Sequence, residues 1–142
     1  MKGYEAPQPA VAPGQHLVQA YGPGSFTVAG VRHQGSVLVF PDRTLPWGPA
    51  TSAEITLDSL AEVQSAATTI DILLIGTGPR FELVPPALRQ TVRAWGPVVE
   101  PMATPSACRT YNVLLAEGRR VAAALIAMPD TPSPAEGGRG PG

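Results

Sequence analysis

"IDILLIGTGPR", Ile70 to Arg80, is the stretch on which the fold turns. Its apolar residues follow one another instead of alternating, so it reads as a strand covered on both faces, at the centre of a sheet with helices on each side. The run drops into Gly76-Thr77-Gly78-Pro79. A strand that ends in glycines before a helix is a common ligand site in α/β proteins, because glycine lets backbone amides approach and helix N-termini attract anions. The dinucleotide fingerprint is incomplete, however, with Phe81 at its third glycine, and no Gly-Lys-Ser/Thr follows to make a phosphate-binding P-loop. A tight turn and a ligand loop both remain open readings.

Working outward, "SLAEVQSAAT" precedes the strand. Ser59 and Glu62 have capping-box spacing, while Leu60, Val63 and Ala67 share a helical face, which predicts a modest amphipathic helix. After the loop, "PPALRQTVRAWGP" opens on prolines, places Leu88, Val92 and Trp95 on one face, and stops at Gly96-Pro97. "VVEPM" is a short strand. Thr104-Pro105 then predicts an N-cap and first-turn proline for a third helix, ending near Glu117 with Gly118 as its left-handed C′ residue. "VAAALIA" is the last strand.

The N-terminal half reads as short strands: Phe26 and Val28 alternate with polar neighbours, "VRHQGS" looks like a hairpin connection that carries His33, and Val37 to Phe40 form an apolar run. "PDRTLPWGPATSAEIT" reads as a Pro-rich connection whose Trp47 plugs the edge of a core or lines a pocket. The order of elements predicts an α/β fold of three layers, a central mixed sheet flanked by helices with an additional N-terminal β-layer.

The 142 residues suit one domain. Proline (17) and glycine (15) crowd into residues 1–14 and 129–142, which have too few large apolar side chains to offset the entropy of ordering them. Residues 15–128 are therefore expected to fold as a single domain between two disordered tails.

Charge is nearly balanced, −1 overall, and scattered. Without a basic stripe no nucleic-acid partner is expected. The run Val121 to Met128 is far short of a membrane span, and residues 1–14 have no apolar block for a signal peptide, so direct membrane insertion is not expected and a cytoplasmic location is. Lys2 is the only lysine, which removes Schiff-base and P-loop lysines from the folded body. Cys108, His16 and His33 are too few for a structural zinc site, so neither a metal nor a cofactor is expected.

If "DILLIG" and "VVEPM" are parallel neighbours, their C-terminal ends share one rim of the sheet, and Gly76, Thr77 and Gly78 face Thr104, Cys108, Arg109, Tyr111 and Asn112 across a candidate cleft. Helix-start amides, the Thr104 hydroxyl and the Arg109 guanidinium all favour an anion. Each residue also has a plainer reading. Cys108 is an activated thiolate at a helix start, or a small hydrophobe on the stripe it shares with Tyr111 and Leu115. Arg109 pairs with a surface acid such as Glu82 or Glu100, and Asn112 caps a loop.

Three stretches in order, "YGPGSFTVAGVRHQGSVLVFP", "IDILLIGTG" and "ACRTYNVLLAEGRRVAAALI", resemble the bacterial members of the family that includes mitochondrial complex I assembly factor 3. The likeness spans residues 15–127. It implies a three-layer α/β domain whose central sheet has one strand antiparallel to the rest. It also implies that the eight residues just named match positions around the cleft proposed for the family; it brings no catalytic role with it. Family members often carry a polar or acidic residue followed by Thr, Gly and Ala before the Ala-Cys pair, where this chain has Ala103 and then Thr104-Pro105-Ser106.

Two functions follow as expectations. One is a small non-enzymatic protein that binds a protein partner and assists assembly of a membrane or respiratory complex. The other is a binder of, or enzyme acting on, a small anionic molecule in the cleft. A homodimer built on the Trp47 loop or a sheet edge is a third possibility.

Overall fold

A computed structural model of the chain describes residues 14–129. Most of the two expected tails lies outside these residues. Eight strands and three α-helices follow one another as β1 (Val18–Gly22), β2 (Ser25–Val28), β3 (Val31–Gln34), β4 (Val37–Phe40), β5 (Arg43–Pro46), α1 (Ala61–Ser65), β6 (Ile72–Gly76), α2 (Pro86–Trp95), β7 (Val98–Met102), α3 (Thr104–Ala116) and β8 (Val121–Leu125). They make two sheets, a three-stranded antiparallel one of order β1-β2-β3 and a five-stranded one of order β5-β4-β8-β6-β7.

In the larger sheet β6 runs parallel to both β7 and β8, while β4 runs antiparallel to β5 and β8. β4 is thus the one strand opposed to the others. The chain enters this sheet through a hairpin, which demands antiparallel pairing, and completes it through helical crossovers, which allow parallel pairing.

Both faces of the sheet are covered, as the unbroken apolar runs require. On one face Leu73 and Ile75 of β6 pack with Val63, Leu88 and Val92 of the first two helices, and Trp47 closes that core, 6% exposed with its Nε1–H donating to the Ser59 carbonyl at 2.8 Å. On the other, Leu74 meets Tyr111 and Leu115 of α3 and Phe26 and Val28 of the small sheet. At the centre β8 presents Ala122 and Ala124 to the first face and Ala123 to the second, all buried. Small side chains in the middle strand let the layers on both sides come close.

Four local expectations are corrected. Residues 31–34 form a strand, β3, instead of a hairpin connection; the turn is Ala29-Gly30, both at positive φ (51° and 81°), and His33 lies opposite Phe26 in the ladder. Within the Pro-rich connection, Arg43–Pro46 form β5, an edge strand, where a proline without an N–H is tolerated. The Ser59–Glu62 capping box does not form: the Ser59 hydroxyl donates back to the Thr56 carbonyl at 2.6 Å, and α1 is a five-residue helix between 3-10 turns at 58–60 and 67–69. Ala103, not Thr104, is the N-cap of α3, and Thr104 is already helical.

The C-terminus of α3 agrees with its reading. Gly118 has φ 78°, its N–H reaches the Leu115 carbonyl (3.0 Å) and the Arg119 N–H reaches the Leu114 carbonyl (2.9 Å), the paired bonds of a Schellman motif. Arg120, just beyond, forms a bidentate pair with Asp71, Nη2 to Oδ1 at 2.6 Å and Nε to Oδ2 at 3.1 Å. The guanidinium holds the Asp71 carboxyl below the usual carboxylate range, chiefly through its hydrogen bonds. A depressed carboxylate pKa stabilises the fold at neutral pH, and that contribution disappears as pH falls through the folded-state value. Both groups are exposed, so salt screens the effect. In Arg120→Gln the Asp71 titration midpoint, followed by carboxyl NMR, is expected to rise to the ordinary value; an unmoved midpoint excludes the pair as its cause.

Candidate functional site

The parallel register that aligns Gly76 of β6 with Met102 of β7 delivers the Gly76–Gly78 loop and the start of α3 to the same rim of the sheet. There they meet in direct contact. The Thr104 N–H donates to the Gly78 carbonyl (2.8 Å), and the Gly78 N–H donates to Thr104 Oγ1 (2.9 Å). The same hydroxyl donates to the Ile126 carbonyl at 2.8 Å, just past the end of β8. Released from capping duty, the fully buried Thr104 joins three segments, those after β6, β7 and β8.

Thr77 completes the junction. Its N–H donates to the Met102 carbonyl at 2.8 Å, and its hydroxyl donates to the Arg80 carbonyl (2.8 Å) while accepting the Glu82 N–H (3.0 Å). This side chain fixes the loop that leads to α2, burying Val84 and leaving Phe81 and Leu83 exposed. The amides of Thr77 and Gly78 both donate to protein oxygens.

Gly76 is required for a steric reason. A Cβ there would stand 2.8 Å from Thr104 Oγ1 and 3.0 Å from both Thr104 Cα and Leu125 Cδ2. The close approach is between strand and helix, packed as in an interior. Gly76→Ala is expected to destabilise by about 1–3 kcal/mol through overpacking; an unchanged denaturation midpoint would show that the junction can yield.

The four other candidates do not share one opening. Cys108 and Tyr111 lie wholly inside the core beneath α3. Burial pushes the Cys108 thiol up to about 12, and the neighbouring Arg109 charge only partly opposes this. A thiol so placed is almost entirely protonated at neutral pH, the condition of an inert cysteine. Iodoacetamide at pH 8 is expected to label the native chain at least about a thousandfold more slowly than the unfolded one. Rapid native labelling would restore the reactive reading.

Tyr111 donates its hydroxyl to the His16 carbonyl at 2.9 Å, and burial, with a smaller push from Asp42, raises its pKa. Asn112, next to it, accepts the Val18 N–H on Oδ1 (2.9 Å) and donates from Nδ2 to the Val18 carbonyl (2.8 Å). The carboxamide thereby pairs with β1 as a neighbouring peptide group would. Both residues tie the small sheet to α3. Arg109 is exposed, with Nη2 3.4 Å from Ser106 Oγ. The clamp on β1 was beyond sequence reasoning: it joins residues 94 positions apart, and only the amide character of Asn112 hinted at it.

Residues 18–126 match the family described as "Protein of unknown function (DUF498/DUF598)". The chain belongs to that family. Among related sequences an uncharacterised protein of Rhodobacter capsulatus is 42% identical over 112 residues, covering 79% of this chain and 85% of the relative. The human and mouse proteins named NADH dehydrogenase [ubiquinone] 1 alpha subcomplex assembly factor 3 are each 34% identical over 112 residues, or 79% of this chain. The chain spans only about three-fifths of the length of these animal proteins (60% and 61%).

Solved structures share the fold. A Bartonella henselae protein described as an outer membrane protein superposes with a TM-score of 0.76 at 35% identity, over 82% of this chain and 98% of that one. A Bordetella pertussis protein described as a Mth938-like domain gives 0.69 at 32% identity, over 94% and 95%. Among the described residues no helix is long and apolar enough to cross a membrane. The recognised family and the three-layer α/β architecture thus agree with the reading of the sequence.

Proposed function

We propose that this chain is a protein-binding domain without catalytic activity, which assists assembly of a membrane-bound respiratory complex from the cytoplasm. The observation that carries this reading is the 34% identity, through nearly the whole folded body, to proteins named as assembly factors of NADH dehydrogenase. The site is consistent with it. Thr77, Gly78, Thr104 and Asn112 spend their polar groups on holding segments of the chain together, and an anion at the loop would have to displace those bonds. The exposed Phe81 and Leu83, held out on a pinned loop, are apolar surface of the kind partners cover.

Affinity capture of the tagged full chain from a native lysate of its source organism is expected to recover, in stoichiometric amount, a subunit or assembly protein of such a complex. Deletion of the gene is expected to reduce the assembled complex on native gels. Repeated recovery of the chain alone, together with normal complex levels in the deletion strain, would refute the reading. Cell fractionation tests the location, since recovery with membranes alone contradicts a cytoplasmic assistant.

A further inference from the structure

We propose that the outer edge of β3 pairs with β3 of a second copy of this chain, antiparallel about a twofold axis, to give a weak homodimer. The small sheet thereby becomes six-stranded. Its other edge is closed, because the Val18 N–H and carbonyl on β1 are both bonded by Asn112. β3 has no such cover: Val31 is 55% exposed, and Arg32 and Gln34 are exposed as well.

The hairpin determines which backbone groups face outward. Ala29 and Gly30, at φ 51° and 81°, form a two-residue turn whose flanking residues, Val28 and Val31, exchange hydrogen bonds. In an antiparallel pair bonded and non-bonded positions alternate, so His33 bonds to Phe26, while Arg32 and Gln34 turn their peptide groups away from β2. The bond from the Gly35 N–H to the Gly24 carbonyl (2.8 Å) falls where this phase requires it. Two N–H groups and two carbonyls, those of Arg32 and Gln34, thus point outward, and among the described residues none of them has a partner. Gly30 and Gly35 bracket the edge without side chains, and a Cβ at either would meet nothing within 4 Å.

One register of self-pairing uses all four groups. With the axis at His33, Arg32 lies opposite Gln34 of the partner subunit, and Gln34 opposite Arg32 of the partner subunit. Both are bonded pairs, so four hydrogen bonds cross the axis. Charge and burial exclude the neighbouring registers. An axis at Arg32 sets two guanidinium groups directly opposite each other, which is unfavourable. An axis at Gln34 sets Arg32 against Ser36 of the partner subunit, a residue 5% exposed whose carbonyl already accepts the Trp47 N–H (2.9 Å).

The side chains suit the same register. Opposed residues project to one face of a sheet, so Arg32 of the partner subunit arrives beside Gln34, whose carboxamide oxygen can accept from it. A groove of about 420 Å³, lined in part by Gln34, Gly35, Ser36, Trp47 and Gly48, has room for the long side chain. His33 meets its own copy at the axis, a pairing that two uncharged imidazoles tolerate. A second copy is favoured over an unrelated strand because its own sequence puts an acceptor wherever Arg32 arrives. An edge of four residues covers less than the about 1,200–2,000 Å² of a stable interface, which makes the dimer weak and concentration-dependent.

The test is sedimentation equilibrium of the full chain at pH 8, from micromolar to millimolar concentration, with nitrogen-15 spectra over the same range. A monomer–dimer equilibrium is expected. The Arg32 and Gln34 amides should shift and gain protection from exchange as concentration rises, while those of Val31 and His33, bonded within the chain, change little in protection. Gln34→Glu puts a carboxylate opposite each Arg32 and is expected to lower Kd at least about threefold, and Gln34→Arg puts like charges there and is expected to raise it by at least as much. Arg32→Pro removes an outward N–H that nothing in the chain uses, and should leave a folded monomer; should that variant not fold, the Gln34 pair decides alone. A chain that stays monomeric at millimolar concentration, equal dissociation constants for the two Gln34 variants, or concentration-dependent shifts confined to another surface would each overturn the proposal. So would protection of the Arg32 and Gln34 amides that appears only when another protein is added, which assigns the edge to that protein.

Discussion

Thr104→Val is expected to be among the most damaging single substitutions in the protein, costing about 2–5 kcal/mol. The side chain keeps its shape but loses the oxygen that accepts from the Gly78 N–H and donates to the Ile126 carbonyl. Each buried backbone group left without a partner costs about 1–3 kcal/mol, and two are orphaned at once. For a domain of this size the loss lowers the melting temperature by roughly 8–20 °C. Thr104→Ser, which keeps the hydroxyl and gives up one methyl, is expected to lose only about 1 kcal/mol. Equal losses in the two variants, measured by chemical denaturation, would show that packing and not the hydroxyl holds the junction.

Asn112→Leu is expected to act locally first. It conserves volume but strips both partners from Val18, whose N–H and carbonyl are bonded by the carboxamide. The cost is about 2–4 kcal/mol, from two unsatisfied backbone groups with partial relaxation toward water. Because the small sheet reaches the rest of the molecule through α3, one apolar cluster and the bond from the Gly24 N–H to the Met128 carbonyl (2.8 Å), and Asn112 holds its first strand, hydrogen exchange should report a sub-global opening. Amides of β1 and β2 lose protection, whereas those of β6 and β8 keep theirs. Uniform loss across both sheets would mean that the two layers unfold as one unit.

The elements legible in the sequence were those whose burial writes a pattern. β6 and β8 are apolar on both faces, α2 shows an apolar stripe between prolines and a glycine, and α3 stops at Gly118; all lie close to where periodicity and capping put them. The strands that escaped notice lack that pattern. In β3 three of four residues are exposed, so no alternation betrays the strand; only its pairing with β2 creates it. β5 ends in Pro46 and carries Arg43 and Thr44, composition that reads as a loop until an edge position makes it acceptable.

The site was legible in its meeting point and not in its contacts. Parallel pairing of β6 and β7 follows from a crossover helix, and that alone brings Gly76 and Thr104 to one rim. Whether segments that meet leave a gap or close on each other depends on a hydroxyl rotamer and a missing Cβ. Thr104 carries the signature of a cap, and the same oxygen serves equally well for a bond to a distant amide. Nothing local distinguishes the two uses.

The alanines of β8 have a consequence for how this sequence can drift. With methyl groups alone along the axis of the sheet, the middle of the molecule has neither volume to surrender nor room to accept any, so compensating exchanges of large for small cannot be struck there. Variation tolerated by the architecture is pushed outward, to the rims and outer helices, and the spacing of the three layers should be the property that diverging copies of this domain alter least.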